Sequence, residues 1–295
     1  MHAAHSVFGV MAVRTAMCII MMGMMFMFPA DSAQSARQAL RLWGLDVVPS
    51  LFPYMVLCRM LSAQLCRYGI PVSMAAVGFG LLGGSPSGAA VLSGGGACAS
   101  MRQMYALCAL TGTISPMFLL STVGKWMEDA GISGAMLLWA HVLGAGLCAL
   151  IVRYCMRKKD WASPAHAGGG SRQNADPIGQ SISAVFRVGG CIVFYSVVAG
   201  MVRHVPGMNA LTISLAHAAL EVSGGLHAIA ELDLPPVWKA TLLASASGFS
   251  GISILSQNLV FLRPLGIRMQ SLVYIALLRS GCAAAAMLTL YIVLG

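Results

Sequence analysis

Apolar residues run along this chain in long stretches, and the polar residues that interrupt them are spaced like helix ends. The apolar segments cover 7–28, 37–65, 72–100, 103–124, 132–156, 181–204, 209–230, 238–262 and 269–294. About 20 residues of helix cross the hydrocarbon of a bilayer, so runs of this length read as membrane helices. Four places inside them undo helices: the Gly- and Ser-rich stretch Gly80–Gly96, then Thr111–Pro116, Glu221–Gly225 and Ser247–Ser253. Glycine favours no backbone order and Pro86 has no amide to donate. An unpaired backbone group in hydrocarbon costs several kcal/mol, so such stretches persist at membrane depth only inside protein or beside a water-filled cavity. Two breaks fall in each half of the chain. That pattern predicts an all-α membrane protein with a transporter-like core.

The first run, 7–28, reads as a retained helix within an N-terminal unit 1–36. A secretory signal is the rival reading, because Ala30-Asp-Ser-Ala-Gln-Ser-Ala36 offers small residues for cleavage. Residues 37–65 begin amphipathic, with Arg37, Arg41, Trp43 and Asp46. Pro49 and Pro53, one turn apart, predict a kink or unwinding near the start of that helix. Residues 157–180 are basic and polar, from Arg157-Lys-Lys-Asp160 through Gly168-Gly-Gly-Ser-Arg172 to Asp176-Pro177, and read as a flexible linker. The second half retraces the first: Val48–Val56 is echoed by Val188–Ser196, and the Gly and Ser breaks follow in both. Two weakly similar repeats are expected, at 37–156 and 181–295.

Composition agrees. Of 295 residues 58% are hydrophobic and 9% charged, and the mean hydropathy is +0.80; soluble domains are usually near a quarter charged. The net charge of +9 does not point to nucleic acid, because the basic residues sit at the ends of apolar runs without interleaved aromatics, the positive-inside pattern of membrane loops. If the stretch 80–96 enters and leaves on one side, then Arg59, Arg67, Arg102, Arg153 through Lys159, Arg263 and Arg268 share a face. Glu128, Asp129, Glu231 and Asp233 fall on the other. Each repeat then contributes three crossings and a re-entrant hairpin, and the odd number inverts the second repeat. Seven spanning helices and two hairpins result, with a cytoplasmic N-terminus and linker.

The nine cysteines never form a C-x-x-C pair and lie mostly inside apolar runs, so they read as small helix-packing residues. The 21 methionines have no accompanying His or Cys to make a copper site. No hydrolase elbow, P-loop, dinucleotide fingerprint or zinc motif appears, so no enzyme, metal or cofactor is expected.

Glu221 is the sharpest polar signal, a carboxylate within an apolar segment, where the insertion cost is roughly 2.5–3.5 kcal/mol and a functional site is the default reading. His217, one turn earlier, makes with it a candidate proton site; a structural pair bracing a hairpin tip is the bland alternative. His141, alone on its helix, reads as a core histidine bonded to a neighbour. Asp46 and Arg187 read as interface residues. The breaks supply hydroxyls and free amides, and a helix that begins at a break points its amides and dipole into a cavity, which suits anions. Ser85, Ser87, Ser115, Glu221, Ser250, Ser253 and Gln257 are expected to line that site around a small anionic solute. Small-residue helix packing is the rival account of the same Gly and Ser residues.

These landmarks also carry a family likeness. Trp43 with Val48-Pro-Ser-Leu-Phe-Pro53, Gly83-Gly-Ser-Pro-Ser-Gly-Ala89 and Thr111-Gly-Thr-Ile-Ser-Pro-Met-Phe118 occur in order. Val188-Gly-Gly190, Leu220-Glu-Val-Ser-Gly-Gly225 and Gly248-Phe-Ser-Gly-Ile-Ser253 with Gln257 follow. Over about 40–290 the chain resembles the Gate-domain (nucleoside recognition) membrane proteins, in particular sporulation integral membrane proteins of the YlbJ, stage V, type. The resemblance implies a core similar to concentrative nucleoside transporters, and a place in the cell membrane around a developing spore. It also implies passage of dipicolinic acid, with lipid, further copies of the chain or other sporulation membrane proteins as partners. Gly83–Gly88 lacks the Gln and Glu side chains with which nucleoside carriers hold base and ribose, which speaks against a nucleoside as the solute. A nucleoside-type permease and a non-transporting spore-maturation scaffold are the alternatives.

Overall fold

The computed structural model describes residues 2–94, 100–155 and 176–294, and every element among them is helical. Residues 95–99 and 156–175 lie outside the described residues, as does the side chain of Asp46; the second gap takes in most of the expected linker 157–180, whose last residues, from Pro177, already belong to a helix.

Helix α1 (His2–Met27) meets α2 (Pro29–Leu42) at a 100° bend. Pro29 opens α2, where its missing amide costs nothing. The buried face of α2, at Ser32, Ser35 and Ala39, lies against α9 (Pro177–Met201). Asp31 and His204 close that contact at 2.8 Å, and Phe28 stacks on the His204 ring at 3.7 Å. A π-helical turn, Trp43–Val47, leads into α3 (Val48–Arg67). The expected irregularity is therefore present, wound loosely just ahead of Pro49, while Pro53 lies within the helix.

Next, α4 (Val72–Gly83) and α5 (Ser87–Gly94) fold back on one another as a hairpin. Helix α6 (Met101–Thr111) stops, and after residues 112–115 the chain resumes helical winding through the π-helical turn Phe118–Val123 and α7 (Gly124–Trp126). Helix α8 (Gly134–Cys155) follows. Beyond α9 the same order of elements returns: a second hairpin, α10 (Ala210–Leu220) with α11 (Val222–Ala230); a broken helix, α12 (Pro236–Phe249) with α13 (Gly251–Leu262); and the long α14 (Met269–Leu294).

Three described helices are single rods long and apolar enough to cross a membrane, Gly134–Tyr154, Pro177–His204 and Met269–Val293. The other apolar segments are broken, bent, paired or shorter, with breaks at Gly84, Glu221 and Ser250. Helix α14 is the central post, packed along α8 and α12. Small residues bring the three close: a Cβ at Gly144 would lie 2.6 Å from the Cα of Ala283, and one at Gly248 would lie 2.9 Å from the Cα of Ser280. Close approach of backbones is how membrane helices gain packing energy without a hydrophobic drive between them. Arg187 is exposed on α9.

Candidate functional site

Each break frees backbone groups that the helices no longer pair, and at membrane depth each needs a partner. The breaks meet that demand largely from one another. At the first hairpin tip Gly84 has φ +72°, a conformation that favours glycine. The amide of Ser85 donates to the carbonyl of Thr113, in the first broken helix, at 2.7 Å. Thr113 returns its hydroxyl to the carbonyl of Gly80 at 2.9 Å. The amide of Ile114 donates to Nε2 of His141 at 3.0 Å, so that nitrogen carries no proton and the buried ring is neutral. His141 is thus the bonded core histidine expected from its lone position on α8.

Glu221 is extended between α10 and α11 and 2% exposed. Its Oε1 accepts from the amide of Ser223 at 3.1 Å and its Oε2 from that of Gly224 at 2.8 Å. The carboxylate therefore caps α11 and complements its positive end. In the second broken helix Ser250 and Gly251 both take positive φ, +69° and +74°, which turns the chain between α12 and α13.

The two hairpin tips and the two broken helices surround a cavity of about 550 Å³. The first hairpin contributes Gly83 and Ser85, and the first broken helix Ile114, Ser115 and Phe118. The second hairpin contributes Glu221, Val222 and Ser223, and the second broken helix Ser253, Ile254 and Gln257. Val188 and Ile192 of α9 and Pro49 and Leu51 of α3 close the apolar side. Three of the polar wall segments lie where helices resume after a break, at 115–118, 221–223 and 253–257. At the second of these the positive end of α11 is already met by the Glu221 carboxylate, while the other two turn their N-terminal ends towards the cavity.

Five of the seven residues expected at the site are thereby brought together: Ser85, Ser115, Glu221, Ser253 and Gln257. Ser85 donates its hydroxyl to Oδ1 of Asn258 at 2.5 Å, and Gln257 Nε2 donates to Ser253 Oγ at 3.3 Å. Ser87 lies outside the lining, buried, its Oγ without a hydrogen-bond partner among the described residues. Ser250 also lies outside it, in the break behind the cavity, with its hydroxyl 3.2 Å from the Gly112 carbonyl and 2.9 Å from that of Ser247. His217 does not line the cavity; a side chain at Gly224 would meet both its ring, at 2.9 Å, and the Glu221 carboxylate, at 3.4 Å.

One residue that the sequence reading passed over stands behind this arrangement. Arg279, in α14, is 1% exposed and donates to Gly248 and Ala109 carbonyls and to Ser250. Its signal was available: an arginine ten residues into an apolar helix of 26. A charge at the bilayer centre costs roughly 2.5–3.5 kcal/mol by insertion scales and by default has a purpose.

No family model and no solved structure matches the chain. A curated relative does: the chain is similar to the sporulation integral membrane protein YlbJ of Bacillus subtilis (strain 168), at 23% identity over 87% of this chain and 76% of that protein.

Proposed function

We propose that this chain is a multi-pass membrane transporter of a small organic anion, with dipicolinic acid as the expected solute in a spore-forming cell. The observation that carries the reading is the convergence of two hairpin tips and two broken helices on one cavity of about 550 Å³, with helix N-terminal turns resuming at its wall after Ser115 and Ser250. Such turns present amide donors and positive dipole ends without a mobile cation, which suits a carboxylate. The similarity to a sporulation integral membrane protein supports the cellular setting, the membrane around the developing spore. The matching order of elements before and after residues 156–175 supports two inverted repeats and seven spanning passes, an arrangement like the core of nucleoside carriers of the Gate type. In this reading the repeats rock about the cavity for alternating access, and no chemical step is catalysed.

A second reading takes a neutral, nucleoside-type solute. It is favoured by the cavity's own side chains, since Glu221 and Gln257 with Ser85 and Ser253 form a hydrogen-bonding set and no basic side chain lines the wall among the described residues. Uptake into liposomes of the purified full chain, with dipicolinate set against a nucleoside panel, separates the two. Accumulation of dipicolinate, blocked by other small aromatic dicarboxylates, is the expected result. Accumulation of nucleosides alone favours the second reading, and transport of neither leaves a membrane scaffold.

A further inference from the structure

Arg279 is fully enclosed, and neither ion pair among the described residues includes it. The guanidinium donates to neutral oxygens only, two carbonyls and a hydroxyl, among the described residues. Nε donates to Gly248 O at 2.6 Å, Nη1 to Ala109 O at 3.1 Å and Nη2 to Ser250 Oγ at 3.0 Å. Ser250 in turn lies 3.2 Å from the carbonyl of Gly112. Gly248 and Ala109 belong to the last turns of α12 and α6. There the carbonyls have lost their helical partners and carry the negative end of the dipole. Two half-helices therefore aim their negative ends at one point behind the cavity.

In transporters built from broken helices, unwound carbonyls and half-helix C-terminal ends are where a coupling cation is held. Here that point is filled by a cation fixed to the chain. The packing leaves it no slack: a Cβ at Gly112 would come within 2.7 Å of Nη1. We propose that Arg279 is a tethered counter-cation standing where a coupling ion would otherwise bind between α6 and α12, so that transport through the adjoining cavity needs no alkali cation. This rests on the transporter reading. Arg279 is a positioning residue, acting on solute through the two breaks that it ties together. Any energy source for uphill transport must then enter elsewhere, for example at Glu221 as a proton.

The test uses the purified full chain, wild type and Arg279→Lys, Arg279→Met and Arg279→Ala, with sodium, potassium or choline chloride as the only salt. A bound ion raises the melting temperature as its concentration rises. The wild type is expected to melt at the same temperature in all three salts, and dipicolinate uptake into liposomes to agree within about twofold, well below an ordinary coupling effect of 5-fold or more. Arg279→Lys keeps measurable uptake. Arg279→Met and Arg279→Ala lose it, and methylguanidinium raises the melting temperature of Arg279→Ala but not of the wild type, a rescue that a mere packing role would not give. A saturable rise of wild-type melting with sodium, or a fall in uptake of about tenfold on its removal, overturns the proposal. So does wild-type uptake by Arg279→Met. If no solute is carried at all, the transporter reading fails, while the melting comparison still decides whether an alkali cation binds here.

Discussion

The hydroxyl of Ser85 donates to Oδ1 of Asn258 at 2.5 Å, across 173 residues of sequence. The bond latches the tip of the first hairpin to the second broken helix, at the edge of the cavity that both help to line. Hydrogen bonds between membrane helices average about 0.6 kcal/mol and reach about 1.7. Ser85→Ala and Asn258→Leu should each lower stability by an amount of that order, and the double variant by less than the sum. Thermal unfolding in detergent checks it; strict additivity would show that the two side chains do not interact.

Glu221 holds two amides of α11 with its two carboxylate oxygens. Glutamine keeps one acceptor and turns an NH2 towards the other amide, so the cap is halved rather than removed. Glu221→Gln should stay folded and in the membrane but carry dipicolinate poorly. Glu221→Ala should in addition lose about 0.5–2 kcal/mol, the usual range for a helix N-cap. Uptake and melting measured on the same preparations separate these effects, and wild-type uptake by Glu221→Gln would remove this carboxylate from the transport path.

The second hairpin closes at Gly225, where an added Cβ would lie 2.1 Å from the Cα of Ala218. The clash is with backbone, so no rotamer change relieves it. Gly225→Ala should cost about 1–3 kcal/mol by overpacking and push α11 away from α10. Gly146, which has open space around it, is the control, and Gly146→Ala should melt close to wild type. Equal melting of the two variants would show that α10 and α11 do not pack this tightly.

The breaks were legible in the sequence because the residues that make them are local. Gly84 with Pro86, Thr111–Pro116, Glu221–Gly225 and Ser250-Gly251 each interrupt an apolar run with a cluster of polar residues, glycine or proline that weakens a helix there, and the places where the helices break follow from that. Which polar side chain faces the cavity and which serves the backbone was not legible. Ser85 and Ser87 are two residues apart, yet one lines the cavity and the other does not. Ser250 and Ser253 divide in the same way. That division depends on partners brought in from distant parts of the chain: Asn258 for the Ser85 hydroxyl, Arg279 for that of Ser250. Arg279 itself was visible as a charge inside an apolar run, but its role appears only once α6 and α12 are seen to end beside it.

His141 serves the first break in a comparable way. Its Nε2 accepts the amide of Ile114 at 3.0 Å, and Ile114 stands in the cavity wall beside Ser115. Removing the ring leaves a buried amide unpaired, a loss of about 1–3 kcal/mol, and frees the backbone that sets the first turn after the break. His141→Ala should therefore melt lower and bind dipicolinate less tightly. His141→Gln, whose amide oxygen replaces the acceptor, should recover part of both. The Michaelis constant for uptake is the discriminating readout, because a change in packing alone would lower the amount of active protein without moving it. An unchanged melting temperature in His141→Ala would mean that the amide of Ile114 finds another partner and that this histidine does not hold the break.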